Sequence, residues 1–254
     1  MSKPVLDLVK HTARRLGIAI SRYPPLGGYL RDLRDYLSRM EINVVLDVGA
    51  YIGNYAKDLR EAGYRGQIIS FEPVPASYEQ LHEAMRNDSL WSGEPYGLSD
   101  ENQEALINTH SRGDFNSLLT LREDAGRAYS VDPARWSQTP IQLKRLDAVL
   151  PQLLEGIRSP RVFLKIDTQG HDVSVVKGAS GVLDIIAGLQ SELPAVEVYD
   201  GMPSMSTLLS YYAGISYVPI GFYPVNTVNT SGRSQITPEF DVLFTKFEGR
   251  LSVP

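Results

Sequence analysis

The run Val44-Val45-Leu46-Asp47-Val48 breaks into Gly49-Ala50-Tyr51-Ile52-Gly53-Asn54 and then into a helical stretch. A buried strand that turns through glycines into a helix is a hallmark of open α/β sheets, whose ligand crevice lies beyond the strand ends. The pattern repeats downstream. Residues 44–48, 67–71, 94–98, 162–166 and 189–198 read as strands, and residues 55–61, 77–85 and about 172–182 as helices. Parallel neighbours need a crossover, usually a helix, so this alternation predicts a parallel, doubly wound sheet. Residues 217–223 and 242–245, around a turn-rich 227–238 segment, suit two antiparallel strands. Residues 109–139 interrupt the rhythm with Gly113, Gly126 and Pro133, and a long irregular insert in a compact domain is more often functional than inert.

A chain of 254 residues accommodates one large α/β domain, expected over residues 41–254, preceded by a helical extension over residues 1–40. Lys and Arg total 25 against 30 for Asp and Glu, with no basic block in the body of the chain, which argues against nucleic acid as a partner. The absence of cysteine removes disulfides, thiolate metal sites and cysteine nucleophiles together. Residues 4–20 can form a helix with Val5, Leu6, Val9, Leu16 and Ile18 among basic residues, either a peripheral membrane contact or a helix packed on the domain edge. Pro24-Pro25 and Gly27-Gly28 separate it from a second helical stretch, residues 29–40. No apolar run approaches the roughly 20 residues of a membrane span, and the expectation is a soluble, cytoplasmic protein. Nothing in the sequence specifies an oligomeric state.

The glycine spacing narrows the ligand. Gly49-x-x-x-Gly53 is not the G-x-G-x-x-G that brings a pyrophosphate to a helix N-terminus. S-adenosylmethionine carries an ammonium and a sulfonium instead of phosphates, and Asp47 offers those groups a carboxylate; Gly49, Tyr51, Gly53 and Asn54 complete the expected loop. Glu72 ends the next strand about 25 residues further on, where an acidic residue accepts ribose hydroxyls in either S-adenosylmethionine or NAD. Ser99 and Asp100 close the following strand, where they can meet an adenine edge or serve only as turn formers.

Lys165-Ile166-Asp167-Thr168-Gln169-Gly170-His171-Asp172 is the second polar cluster, at the end of a buried strand on the same rim. Histidine, with an unperturbed pKa near 6.5, suits a general base, so His171 is the candidate for activating an acceptor hydroxyl, with Asp167 orienting it or contacting cofactor and substrate. The competing reading has His171 and Asp172 merely starting the next helix. Glu192 adds a carboxylate on the next strand; facing Asp167, it could share a Mg²⁺ or Ca²⁺ ion with substrate oxygens, or pair structurally with Lys165 or a tyrosine. Tyr199, Tyr211, Tyr212, Tyr217 and Tyr223 crowd the last third, either as a stacking surface or as ordinary packing.

Taken together these segments resemble the FkbM family of S-adenosylmethionine-dependent methyltransferases. Residues Leu46 to Gly53 are similar to its cofactor loop, Phe71-Glu72-Pro73 to its ribose motif, and Leu98-Ser99-Asp100 to its adenine-side turn. Leu164 to Gly170 resembles its fourth-strand signature, and Glu192 and Glu239 to Phe244 also match. The resemblance spans roughly residues 43–246. It implies a class I methyltransferase (Rossmann-like) sheet of seven strands, mostly parallel, with helices on both faces and an antiparallel final strand. It further implies methyl transfer to a hydroxyl of a sugar, glycolipid, polysaccharide or polyketide-type natural product. The chain departs from the family's commoner pattern at Gln169, where an acidic residue is frequent, so a mechanism requiring a carboxylate there does not carry over. Two other functions compete: a nicotinamide-dependent oxidoreductase, and a non-catalytic cofactor-binding scaffold.

Overall fold

The structure, a computed structural model, describes residues 28–229, 234–247 and 249. The expected helix over residues 4–20, and the membrane contact assigned to it, lie outside the described residues. Helix α1 (Gly28–Arg39) leads into β1 (Val44–Val48), α2 (Asn54–Glu61), β2 (Gln67–Phe71), α3 (Pro75–Met85) and β3 (Trp91–Glu94). The chain then makes β4 (Gly97–Leu98), β5 (Gln103–His110), α4 (Glu123–Ala128), β6 (Trp136–Lys144) and α5 (Leu146–Leu153). It continues through β7 (Val162–Ile166), α6 (Asp172–Gly178), β8 (Ile186–Pro194), α7 (Met205–Gly214) and β9 (Tyr217–Pro224). A short pair, β10 (Val228–Asn229) with β11 (Gln235–Ile236), precedes β12 (Glu239–Lys246).

The central sheet has seven strands in the order β3-β2-β1-β7-β8-β12-β9. The pairs from β3 to β8 are parallel, and β12 runs antiparallel to both β8 and β9. This is the expected mostly parallel α/β sheet with an antiparallel final strand. Strand side chains alternate between faces, so Val44, Leu46 and Val48 enter one core with Leu164, Ile166 and Val176, while Val45 enters the other with Phe163, Leu59 and Leu243. Leu33, Tyr36 and Leu37 of α1 are buried in that second core, so residues 28–39 share the domain's interior.

The same alternation puts a polar row inside the second face. Asp47 sits opposite Ser70 on one side and Lys165 on the other, and Lys165 sits opposite Gln190. Four adjacent strands thus place a polar side chain at one level, just below the rim where the parallel strands end.

Two expectations change. Residues 94–98 are not one strand: β3 ends at Glu94, and after Pro95 the chain leaves the sheet so that Gly97 and Leu98 pair with β6. Proline supplies no N–H for a ladder, which suits a strand end. The insert also holds regular structure, helix α4 and the inner ends of β5 and β6, two strands that pair antiparallel from Gln103 with Leu143 to His110 with Trp136 and lie mostly outside it.

Candidate active site

A cleft lies at the ends of β1, β2 and β7. Gly49, Tyr51, Glu72, Asp167, Thr168, Gln169 and His171 supply its polar wall. Pro73, Leu98, Ile107, Leu118, Ile141 and Leu143 make the apolar wall.

Gly49 fits its place for a steric reason: its φ is +75°, and a Cβ there would come within 1.9 Å of the Asp167 backbone oxygen. The two strand-end loops therefore touch at a point only glycine permits. Tyr51, with φ of 51°, follows in a left-handed turn. Its N–H donates to Glu72 Oε2 at 2.9 Å, and its hydroxyl donates to the Arg112 carbonyl at 2.8 Å. The Tyr51 ring fills the space where Gly113 lacks a side chain, since a Cβ there would approach the ring to 2.3 Å. Glu72 Oε1 accepts from the Val74 N–H at 2.9 Å. Burial pushes the Glu72 carboxyl up to about 7 against the pull of these two bonds and of Lys165.

Asp47 does not line the cleft. It is fully buried, its Oδ1 3.1 Å from Lys165 Nζ and its Oδ2 accepting from Ser70 Oγ at 3.3 Å. Ser70 in turn accepts from Trp91 Nε1 at 2.9 Å. Asp47 was expected to offer a cofactor cation its carboxylate; strand alternation places that carboxylate in the polar row and not in the cleft lining. Lys165 also donates to the Val48 and Gly49 carbonyls at 3.4 and 3.2 Å and lies 3.5 Å from Asp167 Oδ2. Burial disfavours its charge, but Asp47, Asp167 and Asp241 together hold its pKa above the ordinary lysine value.

Gly53 is buried against Trp91 and Leu81, and Asn54 is exposed at the start of α2; neither lines the cleft. Ser99 and Asp100 stand just behind its wall, where Leu98 is the lining residue. Ser99 Oγ donates to Asp100 Oδ1 at 3.0 Å and lies 2.9 Å from His171 Nε2. The single Ser99 proton is directed to Asp100, so Nε2 carries the imidazole proton and donates, leaving Nδ1 with the lone pair in the neutral ring. Burial lowers the His171 pKa below its ordinary value, partly offset by Asp100. Asp167 was expected either to orient His171 or to contact cofactor and substrate; the hydrogen bond to His171 is made by Ser99, itself bonded to Asp100.

Asp167 is bound elsewhere. Gln169 Nε2 donates to Asp167 Oδ1 at 2.9 Å and to Glu192 Oε2 at 3.0 Å, and Gln169 Oε1 accepts from the Tyr199 hydroxyl at 2.7 Å. Glu192 is half-buried beyond the cleft lining, opposite Asp241 in the sheet. Burial pushes Glu192 well above the ordinary carboxylate range, with the charges of Asp167, Glu239 and Asp241 adding to it. Burial also brings Glu239 to about 7 and Asp241 to about 6. The divalent-ion reading of Asp167 and Glu192 finds no support: an amide nitrogen bridges the two carboxylates, and no group of three potential metal ligands occurs among the described residues.

Three elements of the site were not read from the sequence. The apolar wall draws on Ile107, Ile141 and Leu143, whose period-two spacing was the available signal. Gln169 and Tyr199 are long-range partners that no local pattern reveals.

The residues present suit S-adenosylmethionine: a glycine cradle at Gly49, carboxylates in the cleft at Glu72 and Asp167, and an apolar slot. The model of the methyltransferase FkbM domain matches residues 47–211, well over half of the chain. No curated protein matches the sequence. Among solved structures, a methyltransferase FkbM from Methylobacillus flagellatus aligns with 17% identity and a TM-score of 0.48, covering 80% of this chain and 44% of that one. The chain thus spans less than half the length of that relative. An rRNA methylase from Streptococcus thermophilus aligns at 12% identity and a TM-score of 0.44, covering 88% of this chain and 99% of that one. A SAM-dependent methyltransferase from Aquifex aeolicus aligns at 11% and 0.40, covering 97% and 100%. With the family model spanning both strand-end loops, Glu72 and the Lys165–His171 cluster, the chain belongs to the FkbM methyltransferase family.

Proposed function

We propose that this protein is an S-adenosylmethionine-dependent O-methyltransferase whose acceptor is a hydroxyl of a sugar, glycolipid, polysaccharide or polyketide-type natural product. The observation that carries the reading is the Asp100–Ser99–His171 chain of hydrogen bonds beside a cleft that also holds Glu72 and Asp167. A hydroxyl is a poor nucleophile until its proton is shared, and a neutral histidine with one committed nitrogen and one free lone pair supplies that acceptor. Bound S-adenosylmethionine would supply an electrophilic methyl on a sulfonium. Glu72 would hold the ribose hydroxyls, the Pro73–Leu98–Leu143 wall would cover the adenine, and Asp167 would face the positive end of the cofactor. The two walls exclude water from the transfer path, and His171 takes the hydroxyl proton.

Two measurements test this. Calorimetric titration should show S-adenosylhomocysteine binding and no comparable NAD binding; the reverse result sinks the cofactor assignment and restores the oxidoreductase. Labelled methyl transfer from S-adenosylmethionine to a panel of hydroxylated glycans and polyketides should yield methyl ethers that vanish in His171→Ala. Methylation confined to amine acceptors refutes O-transfer, and cofactor binding without any transfer favours the scaffold.

A further inference from the structure

The loop after β7 contains a hub that cofactor and acceptor binding do not by themselves require. Gln169 has a φ of 52°, a left-handed conformation that a non-glycine residue adopts at a cost. Its backbone carbonyl accepts from Ser117 Oγ at 2.7 Å, and the residue is part of the cleft lining. All of its amide groups are committed: Nε2 to Asp167 and Glu192, Oε1 to Tyr199. Tyr199 is fully buried. Burial, reinforced by the charges of Glu239, Glu192 and Asp167, keeps its hydroxyl protonated far above neutral pH.

The chemistry of these contacts is directional. A phenol hydroxyl has one proton to donate, and here it goes to Gln169 Oε1, which fixes the amide so that its N–H₂ faces the two carboxylates. A flipped amide would aim a carbonyl oxygen at both carboxylates and lose the tyrosine bond. With Gln169 on Oδ1 and Lys165 3.5 Å from Oδ2, each oxygen of Asp167 has a positive or donating neighbour, which sets the plane in which it meets a ligand.

We infer that Gln169, oriented by Tyr199, is the positioning residue that clamps Asp167 at the reacting end of the cleft, its amide doing between Asp167 and Glu192 what a bound cation would do. The role rests on the methyl-transfer reading above. It accounts for a strained, fully hydrogen-bonded glutamine in a loop where a glycine would sit without strain. It also gives Tyr199 a part in the reaction although the cleft lining does not include it.

Full-length wild type, Tyr199→Phe, Gln169→Ala and Gln169→Glu are compared after circular dichroism confirms folding. Losing the bond to the Asp167 carboxylate should lower kcat about 10- to 100-fold in Gln169→Ala, and losing the neutral phenol–amide bond that orients it about 3- to 10-fold in Tyr199→Phe, with KM for S-adenosylmethionine within about twofold. A purely structural role would lower the melting temperature and leave kcat of the folded fraction intact; kcat within twofold of wild type in both variants overturns the inference. Gln169→Glu supplies an arm independent of turnover. Three carboxylates without the bridging donor should bind calcium, so millimolar calcium chloride raises the melting temperature of this variant and not of wild type. If wild type transfers no methyl to any acceptor, the functional reading falls and the clamp is decided by this arm, where no calcium response overturns it.

Discussion

Replacing Lys165 with methionine tests the buried polar row directly. The substitution keeps most of the side-chain volume and removes one ammonium from between Asp47, fully buried at 3.1 Å, and Asp167 at 3.5 Å. With an effective dielectric near 20, a pair 3.1 Å apart attracts by about 5 kcal/mol. Removing one partner of a buried pair typically costs about 3–5 kcal/mol, because the other charge stays buried and uncompensated. For a domain of this size each kcal/mol lowers the melting temperature by about 2–4 °C, so Lys165→Met should melt about 6–20 °C below wild type. Urea unfolding followed by tryptophan fluorescence is the natural assay, since Trp91 Nε1 reaches Asp47 through Ser70. Adding Asp47→Asn should recover about half of the loss, because the stranded charge is then gone. The sign with pH also follows. A lysine pKa raised in the folded state contributes fully below the unfolded value near 10.4 and fades only as pH climbs through the folded one. The lysine's own titration therefore adds no slope to the gap between wild type and variant from about pH 6 to 9, and any slope there reports Glu72 and Asp241, whose pKa values Lys165 holds down. A loss under about 1 kcal/mol, or a double variant as unstable as the sum of its singles, refutes the account.

Other perturbations reach other parts of the site. Glu72 titrates near 7 in the folded chain against 4.5 ordinarily, so its contribution to stability is full below pH 4.5 and is lost as pH rises to about 7. Ribose hydroxyls need the ionised form as acceptor, so calorimetric affinity for S-adenosylhomocysteine should increase across the same window; an unchanged affinity contradicts this. Gly49→Ala should cost at least about 2 kcal/mol and abolish cofactor binding, because its Cβ would meet the Asp167 backbone oxygen at 1.9 Å with φ at +75°. Thermal melting and calorimetry would show both effects. Asp100→Asn removes the charge that partly holds up the His171 pKa, so the acid limb of the pH–rate profile should move to lower pH; an upward move contradicts the assigned partner.

Much of this arrangement was legible in the strands. The runs at 44–48, 67–71 and 162–166 are apolar at their second, third and fifth places and polar in fourth place, at Asp47, Ser70 and Lys165. Parallel strands in register put those three side by side, so the row was implicit in the alternation even though its place outside the cleft lining was not drawn from it. Glu72 and Gly49 were legible because strand-end position alone puts them at the crevice. Pro95 was the sign that residues 94–98 do not form one strand. The pairing of β5 with β6 was not read because their apolar residues, Ala105 and Ile107 on one strand and Ile141 and Leu143 on the other, flank the insert and come together only in the folded chain. Partners such as Ser99 with His171, 72 residues apart, or Gln169 with Tyr199, 30 apart, follow from tertiary packing and leave no local trace.

Tyr51 grips both sides of the cleft mouth. Its N–H holds the Glu72 carboxylate while its hydroxyl holds the Arg112 carbonyl of the insert. If Glu72 holds the ribose as proposed, the backbone turn at Tyr51 couples the departure of spent cofactor to the breathing of the insert. Tyr51→Phe should accordingly quicken departure of S-adenosylhomocysteine in stopped flow and amide exchange at residues 112–116 in the same proportion, making product escape a property of the insert as much as of the cofactor loop.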